Sequence, residues 1–482
     1  MYNIIVRRRF LIMRYIKNFV ILLFFFIFAS MPAFGLEEEN KKVFTLDECI
    51  KYALEHHEEI KIAKGMVKIQ KSRVGQAKSD YFPRLGLGNG YTFSDRNPKG
   101  GHETHSNTYD VDLSVNQLIW NFGKTTANIN MQKYNAKSAE YDLEDEILTV
   151  KYGVKIAYHA VLAAKANVDI SNQTVKINEL NYERTKALFE EGLKSKIDVV
   201  NAEVYYTDAK VQLLEAEQRY ETALIELAQA MDYHEDIDFS VANTENFNFQ
   251  PIEYIADDVD LKYVSYLQDG DNSELVLTSG IQKNNILKNF EFKPYDGSVK
   301  DAIETAYKQR PDLKSLELVL KASGESLKAV KRSYMPELAA GAGYGFSKSE
   351  NSQVQNFRVF AGLDFPIINV MDIKYRIDEG KAYYEIAENN LHHAKHHVYF
   401  DVNNLYVAMK QLEKKIPLMQ DKVQQTLENF ELADGRYTVG LGNFIELQDA
   451  QTNYNIAQLD FVQVIFKYNV AREEFLKALG VQ

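Results

Sequence analysis

Between Pro83 and Asn121 the hydrophobic residues fall on alternate positions. Leu85, Leu87, Tyr91 and Phe93 interleave with Gly86, Gly88, Gly90 and Thr92, and Tyr109, Val111, Leu113, Val115 and Ile119 with Asp110, Asp112, Ser114 and Asn116. The alternation returns at Leu338, Ala340, Ala342, Tyr344 and Phe346, and again at Phe357, Val359, Ala361, Leu363 and Phe365. A period of two means strand, with one apolar face and one small or polar face, so two hairpins are expected, at 84–119 and 337–367. Each strand is about 11 residues long, which is what a tilted strand needs to cross a bilayer. A half-buried sheet over a soluble core would alternate in the same way.

After each hairpin the period becomes helical. Leu143, Ile147, Val150, Val154, Ala157, Val161, Ala164 and Val168 step by four and three, as do Leu391, Val398, Val402, Leu405, Met409, Leu412, Ile416 and Met419. Such a seam marks a coiled coil. It predicts long helices at 123–191 and about 372–439, the first of about 67 residues or roughly 100 Å. Pro417 falls inside the second, where a proline removes a hydrogen bond and predicts a kink. Gly192 and Gly440 stand where these helices should stop, because glycine enters a left-handed position without penalty. Ser195-x-x-Asp198 and Asn443-x-x-Glu446 then read as capping boxes opening return helices at 196–231 and 444–480. The two tips are thus 192–195 and 440–443. Upstream, Thr45-x-x-Glu48 and Ser298-x-x-Asp301 open a helix or broken pair of helices running to Pro83 and Pro336.

The order of these elements makes the chain two copies of one unit. LDECIKYALEHHEEI at 46 aligns with VKDAIETAYKQRPDL at 299, an offset of 253, while Asn121 with Asn369 and Gly192 with Gly440 give 248. The five-residue change falls in a longer first hairpin loop, Ser94 to Ser106 against Ser347 to Val354. The copies span 36–232 and 298–482. Between them lies 233–297, where 261–267 and 273–281 are either strands of a small equatorial subdomain or loop.

Composition narrows the setting. Arg7, Arg8, Arg9, Arg14 and Lys17 precede an apolar block at 20–28, and Ala33-Phe34-Gly35 precedes a charged stretch. This is the pattern of a signal peptide, 1–35, with an uncleaved anchor as the alternative. Losing those five positive charges takes the net charge from −12 to −17, so nucleic acid is excluded as a partner. The single cysteine, Cys49, lies in a helical pattern and supports neither a disulfide framework nor lipidation. No apolar run of about 20 residues follows the leader, which argues against a helical membrane protein and leaves a β-barrel open. No nucleophile elbow, phosphate loop or closed metal set is present, so neither an enzyme nor a cofactor is expected.

Four strands cannot enclose a lumen, since the smallest transmembrane barrels use eight. A barrel must therefore pool strands from a dimer or a trimer. With its leader, its duplicated helix–hairpin–long helix–tip order, and the tips Phe189-x-x-Gly192-Leu193 and Tyr437-x-Val439-Gly440-Leu441, the mature chain resembles the TolC family of outer membrane efflux proteins. The resemblance implies a mainly α fold with membrane β: a homotrimer whose 12-stranded barrel, four strands per chain, sits in outer membrane lipid above a helical coiled-coil tunnel through the periplasm. It implies a passive channel of a tripartite efflux or type I secretion system, loaded by an inner-membrane transporter through a periplasmic adaptor. Carried over, it makes Glu446 and Asp449, with Asp198 in the first tip, an acidic ring at the tunnel mouth. Tyr437 becomes a gate residue linked to an acid of a neighbouring hairpin, and Gly442 stands where an arginine of the ionic lock is expected. Gly192, Leu193, Val439, Gly440 and Leu441 become docking tips, and Trp120 fits a membrane-interface anchor. Capping alone also explains Asp198 and Glu446. A periplasmic coiled-coil scaffold, with hairpins that merely pair, is the competing function. His392 with His396 and His393 with His397 have the i, i+4 spacing of metal ligands, which makes a metal-ion efflux channel a sharper variant; histidines on an exposed helix face also commonly bind nothing.

Overall fold

The computed structural model describes residues 42–96, 99, 104–244, 294–349, 352–365 and 370–481. The expected signal peptide and most of the inter-copy segment, 245–293, lie outside the described residues. The chain divides into two compact units. The smaller is described at Lys42, Val43 and Asp238–Ser240, within strands β1 (Lys42–Phe44) and β4 (Phe239–Val241), which pair with each other. The larger, Phe44–Ile237 with Val241–Gln482, carries everything below.

It opens with a broken helix pair, α1 (Leu46–His56) and α2 (Glu58–Ser79), and the second half opens likewise with α5 (Val299–Gln309) and α6 (Pro311–Lys331). Thr45 and Glu48 form the expected box, the Thr45 N–H donating to Glu48 at 2.9 Å. Pro311 occupies the first turn of α6, where its missing N–H has no partner to lose.

The strands are β2 (Arg84–Arg96), β3 (Thr104–Trp120), β5 (Glu337–Ser349) and β6 (Ser352–Asp364). At 13, 17, 13 and 13 residues they exceed the expected 11, and the first loop is shorter than Ser94 to Ser106 because pairing continues to Arg96 and Thr104. They form one antiparallel sheet in the order β2-β3-β5-β6. The register lines Leu87, Leu113, Tyr344 and Phe357 across all four strands, and likewise Leu85, Val115, Ala342 and Val359. Their face is therefore continuously apolar, and it is exposed: Leu87 is 76% and Phe357 72% accessible. The opposite face aligns Gly88, Asp112, Gly345 and Asn356. A register shift between Leu118 and Trp120 inserts Ile119 as an extra residue and sets Trp120 opposite Leu338. The shift moves the tryptophan onto the apolar face, where its ring stacks on Phe122.

Each hairpin leads into a long helix and a shorter return: α3 (Lys124–Glu190) into α4 (Lys196–Met231), and α7 (Val370–Thr438) into α8 (Phe444–Leu479). The long helices have 67 and 69 residues and the returns 36 each. α7 runs through Pro417 as one helix, with Ile416 buried and Leu418 exposed beside it. One stretch of α3 is apolar enough by composition to cross a membrane, but half of it is buried in the protein. The four helices pack in the order α4, α3, α8, α7, while α2 and α6 lie against α3 and α6 also against α7.

Burial keeps to the seven-residue interval on α7 and is broader on α3, where Val161 to Ala164 are all buried. On α7 every seventh residue is buried from Val402 through Met409, Ile416, Val423 and Phe430 to Tyr437, joined by Glu413 and Ala433, whereas Leu405, Leu412 and Met419 are only partly covered. On α3, Val150, Val154, Val161 and Ala164 are buried, and Leu143, Ile147, Ala157 and Val168 partly so. The return helices bury small residues at the same interval: Ala202, Ala209, Ala216 and Ala223 on α4, and Ala450, Ala457, Val464 and Ala471 on α8, each 248 positions later. Small side chains at a helix contact let the axes approach toward the short end of the usual 8–10 Å.

Candidate functional site at the helical tips

Two helix ends meet at the tips, and their backbones are alike. Gly192 and Gly440 have φ of 77° and 76°, the left-handed geometry that costs an L side chain about 1–2 kcal/mol. Beyond each glycine a leucine N–H reaches back, Leu193 to the Leu188 carbonyl at 2.8 Å and Leu441 to that of Arg436 at 2.9 Å. This is the closing bond of a Schellman turn. It leaves both leucines projecting, Leu193 at 71% and Leu441 at 76% accessible, with Val439 exposed beside the second.

The caps differ. At the first tip the Ser195 N–H and hydroxyl both donate to Asp198, at 3.1 and 2.7 Å, so that carboxylate is occupied in a capping box. At the second only half of the expected box forms. Asn443 Oδ1 accepts the Glu446 N–H at 2.7 Å, and the Glu446 carboxylate turns instead to Arg436 Nε at 3.1 Å. The cause is local: Arg436 lies in the last turn of α7 and draws the acid away. Asp449, one turn further along α8, is exposed.

Tyr437 is buried in its own protomer. Its hydroxyl shares a hydrogen bond with Thr185 of α3 at 3.0 Å, its ring lies edge-on to Phe444, and Lys194 stands 4.6 Å over its face. Among the described residues the expected link to an acid is absent from its hydrogen bonds; Thr185 takes that place. Burial raises the phenol's pKa, and the Asp198 charge pushes it the same way. The arginine–acid link comes from a residue that sequence reasoning missed: Arg184 Nη1 meets Asp434 at 3.0 Å and Thr438 Oγ1 at 3.2 Å. Gly442 cannot carry an arginine without rearrangement, because a Cβ there would lie 3.0 Å from the Tyr437 backbone nitrogen.

Above these links the two hairpins face each other through polar side chains. Thr174, Asn178, Asn181 and Thr185 step down α3 by four, three and four, all buried, and α8 buries Gln448 and Gln451. Asn181 donates to Gln451 at 3.3 Å. Asn178 Oδ1, Gln448 Nε2 and Gln451 Nε2 are buried without a protein partner among the described residues. Farther up, Lys155 of α3 pairs with Glu473 of α8 at 2.7 Å beside His159, whose pKa burial lowers to about 4.

The outer membrane efflux protein family model matches residues 49–232 and 302–481, one stretch in each half. The chain belongs to this family. That confirms the resemblance to the TolC family drawn from the tips and hairpins. Among curated relatives, the toluene efflux pump outer membrane protein TtgC of Pseudomonas putida is 24% identical over 182 residues, 36% of this chain and 37% of that one. The alkaline protease secretion protein AprF of Pseudomonas aeruginosa is 25% identical over 154 residues, 31% of each chain. These matches span about a third of each relative's length. The solved structure of CusC superposes with a TM-score of 0.73 at 13% identity, covering 94% of this chain and 96% of that one, which establishes the shared fold. Among the described residues no group of three or more histidine, cysteine or acidic side chains is arranged to hold a metal ion.

Proposed function

We propose that three copies of this chain pool their strands into one 12-stranded barrel across the outer membrane, with the helices continuing as a tunnel into the periplasm. The observation that carries this reading is the four-stranded sheet. Its apolar face carries exposed side chains on all four strands, Leu87, Leu113, Tyr344 and Phe357 among them, and its outer strands β2 and β6 each pair on one side only. Unpaired strand edges inside a bilayer are prohibitive, so the sheet must close with copies of itself. Two copies give eight strands and three give twelve; the family favours three. From Tyr109 to Trp120 is about 37 Å of strand at 3.4 Å per residue, or roughly 28 Å along an axis tilted 40°, close to the apolar height of outer-membrane barrels. Aromatic residues mark both ends of that span, with Tyr81, Phe82, Trp120 and Phe122 exposed at the helix side and Tyr91, Phe93 and Tyr109 at the other. A soluble scaffold has no use for such a face.

In this reading the assembly is a passive exit duct for efflux or secretion. An inner-membrane transporter hands cargo over through a periplasmic adaptor that seats on Leu193, Val439 and Leu441 around Gly192 and Gly440. Glu446 and Asp449 supply negative potential at the mouth, with Asp198 adding to it from its cap. Tyr437–Thr185 and Arg184–Asp434 hold the two hairpins of each copy together as a closed gate.

The deciding experiment is conductance of purified, detergent-extracted protein in planar bilayers, with the oligomer's mass measured alongside. Discrete channels from a trimer are expected; a soluble species that does not conduct would return the hairpins to a scaffold role. For the acidic mouth, a Glu446→Ala, Asp449→Ala double variant should lose cation selectivity, and unchanged selectivity would remove these acids from the role.

A further inference from the structure

On the exposed side of α7, away from the tips and the sheet, two of the four clustered histidines have been brought together. His393 and His397 are one helical turn apart, their rings meet at 89° with centroids 4.4 Å apart, and their Nε2 atoms are 3.1 Å from each other. The other pair is not arranged this way: His396 leans over the ring of Phe400, 6.1 Å between centroids. The sequence pattern treats the two i, i+4 pairs as equals, and the structure separates them.

We infer that His393 and His397 form a two-point binding site for a divalent transition-metal ion of the nickel, copper or zinc class. The distance between the nitrogens carries the inference. An ion held about 2.05 Å from both Nε2 atoms at their present separation would see them at an angle of about 98°, between square-planar and tetrahedral. The helix has already fixed the spacing of the two nitrogens, and a turn of the rings about their side-chain bonds aims both at the ion. In the ion-free pair one imidazole donates its Nε2 proton to the other; on binding, that ring carries its proton on Nδ1 and both Nε2 lone pairs face the metal. The next acid along, Asp401, lies within electrostatic reach of Arg310, and water fills the remaining positions. Two imidazoles select borderline transition ions over calcium and magnesium, which prefer oxygen. Open positions make the site readily reversible, as suits an ion in passage or a surface sensor.

The test uses tag-free, full-length protein in detergent, titrated calorimetrically with Ni(II) and with Mg(II) as control, while the thermal midpoint is followed with and without Ni(II). Wild type and a His392→Ala, His396→Ala variant should bind one Ni(II) per chain and melt higher with it. His393→Ala and His397→Ala should each weaken binding at least tenfold and abolish the shift. The inference is overturned if wild type fails to bind Ni(II), if Mg(II) competes, or if losing either pair weakens binding equally. Channel conductance does not enter this readout, so its failure and that of the export reading are separable.

Discussion

The seam inside each helical hairpin and the seam between the two hairpins are built from opposite materials. Inside, the return helices present alanine at every seventh position, Ala202, Ala209, Ala216 and Ala223 in one copy and Ala450, Ala457 and Ala471 in the other. Between α3 and α8 the hydrogen bond from Asn181 to Gln451 and the Lys155–Glu473 pair cross the contact, and the buried amides Asn178, Gln448 and Gln451 each keep a polar atom without a protein partner among the described residues. A small apolar contact is close and holds one register. A polar contact that is only partly satisfied loses little when it shifts. Each hairpin is therefore a stiff unit, and the plane between hairpins is where relative movement costs least. The links at its lower end, Arg184 with Asp434 and Thr185 with Tyr437, sit where they resist that movement.

The largest expected effect tests the upper end of the polar seam through pH. Burial holds the folded pKa of His159 at about 4, below the ordinary 6.5, so between those values the unfolded chain binds more protons than the folded one. Stability is full above about pH 6.5 and declines as pH falls toward 4, by roughly 3 kcal/mol at 1.36 kcal/mol per unit. Unfolding midpoints measured from pH 7.5 to 4 should lose part of this slope in His159→Gln. An unchanged slope would place the acid sensitivity elsewhere.

Next comes the apolar seam. Ala209 is 3% accessible on the face of α4 that meets α3, so Ala209→Leu inserts a branched side chain where the helices are closest. A loss of about 1–3 kcal/mol is expected in guanidinium unfolding. If leucine is accommodated without cost, the seam is not close-packed and the contrast fails.

The link at the lower end should cost less. Arg184→Ala takes the guanidinium away from Asp434 in a pair about four-fifths covered on both sides, and a loss of about 1–2 kcal/mol is expected. Arg436→Ala removes the Glu446 partner at a far more exposed pair, 57% and 42% accessible, and should cost under about 1 kcal/mol. Equal costs in the two variants would show that burial does not separate these links.

The unequal legibility of the two seams follows from what each depends on. Alternation along the strands and the heptads of α3 and α7 can be read because one face of each element is set by its own period. Gly192 and Gly440 can be read because a left-handed turn admits few residues. The contact of Arg184 with Asp434 joins residues 250 positions apart, and nothing local to either marks it. The second tip illustrates the limit most plainly: Asn443-x-x-Glu446 fits a capping box as well as Ser195-x-x-Asp198 does, yet Arg436 competes for the acid and wins. Nor does the alternation foresee the extra residue in β3, because a bulge is visible only against the partner strand. Alanine at every seventh position of the return helices is present in the sequence, and a search at offset 248 for small residues, in place of large ones, finds it.

The smallest expected effect carries the opposite sign. Gln448 is 2% accessible, lies one turn before Gln451 on the face toward α3, and its Nε2 has no protein partner among the described residues. Gln448→Leu keeps much of the volume and removes a donor that the fold does not use, so the change in unfolding free energy should be within about 1 kcal/mol of zero and on the stabilising side. If the polar seam eases movement between hairpins, the same substitution should make it stickier, and in bilayers the variant should open less often than wild type at equal protein density. A clear destabilisation would mean that Gln448 belongs to a satisfied network and that the seam is specified as tightly as the alanine one. Opening unchanged in a stabilised variant would separate the two properties, leaving the polar seam a feature of stability with no part in gating.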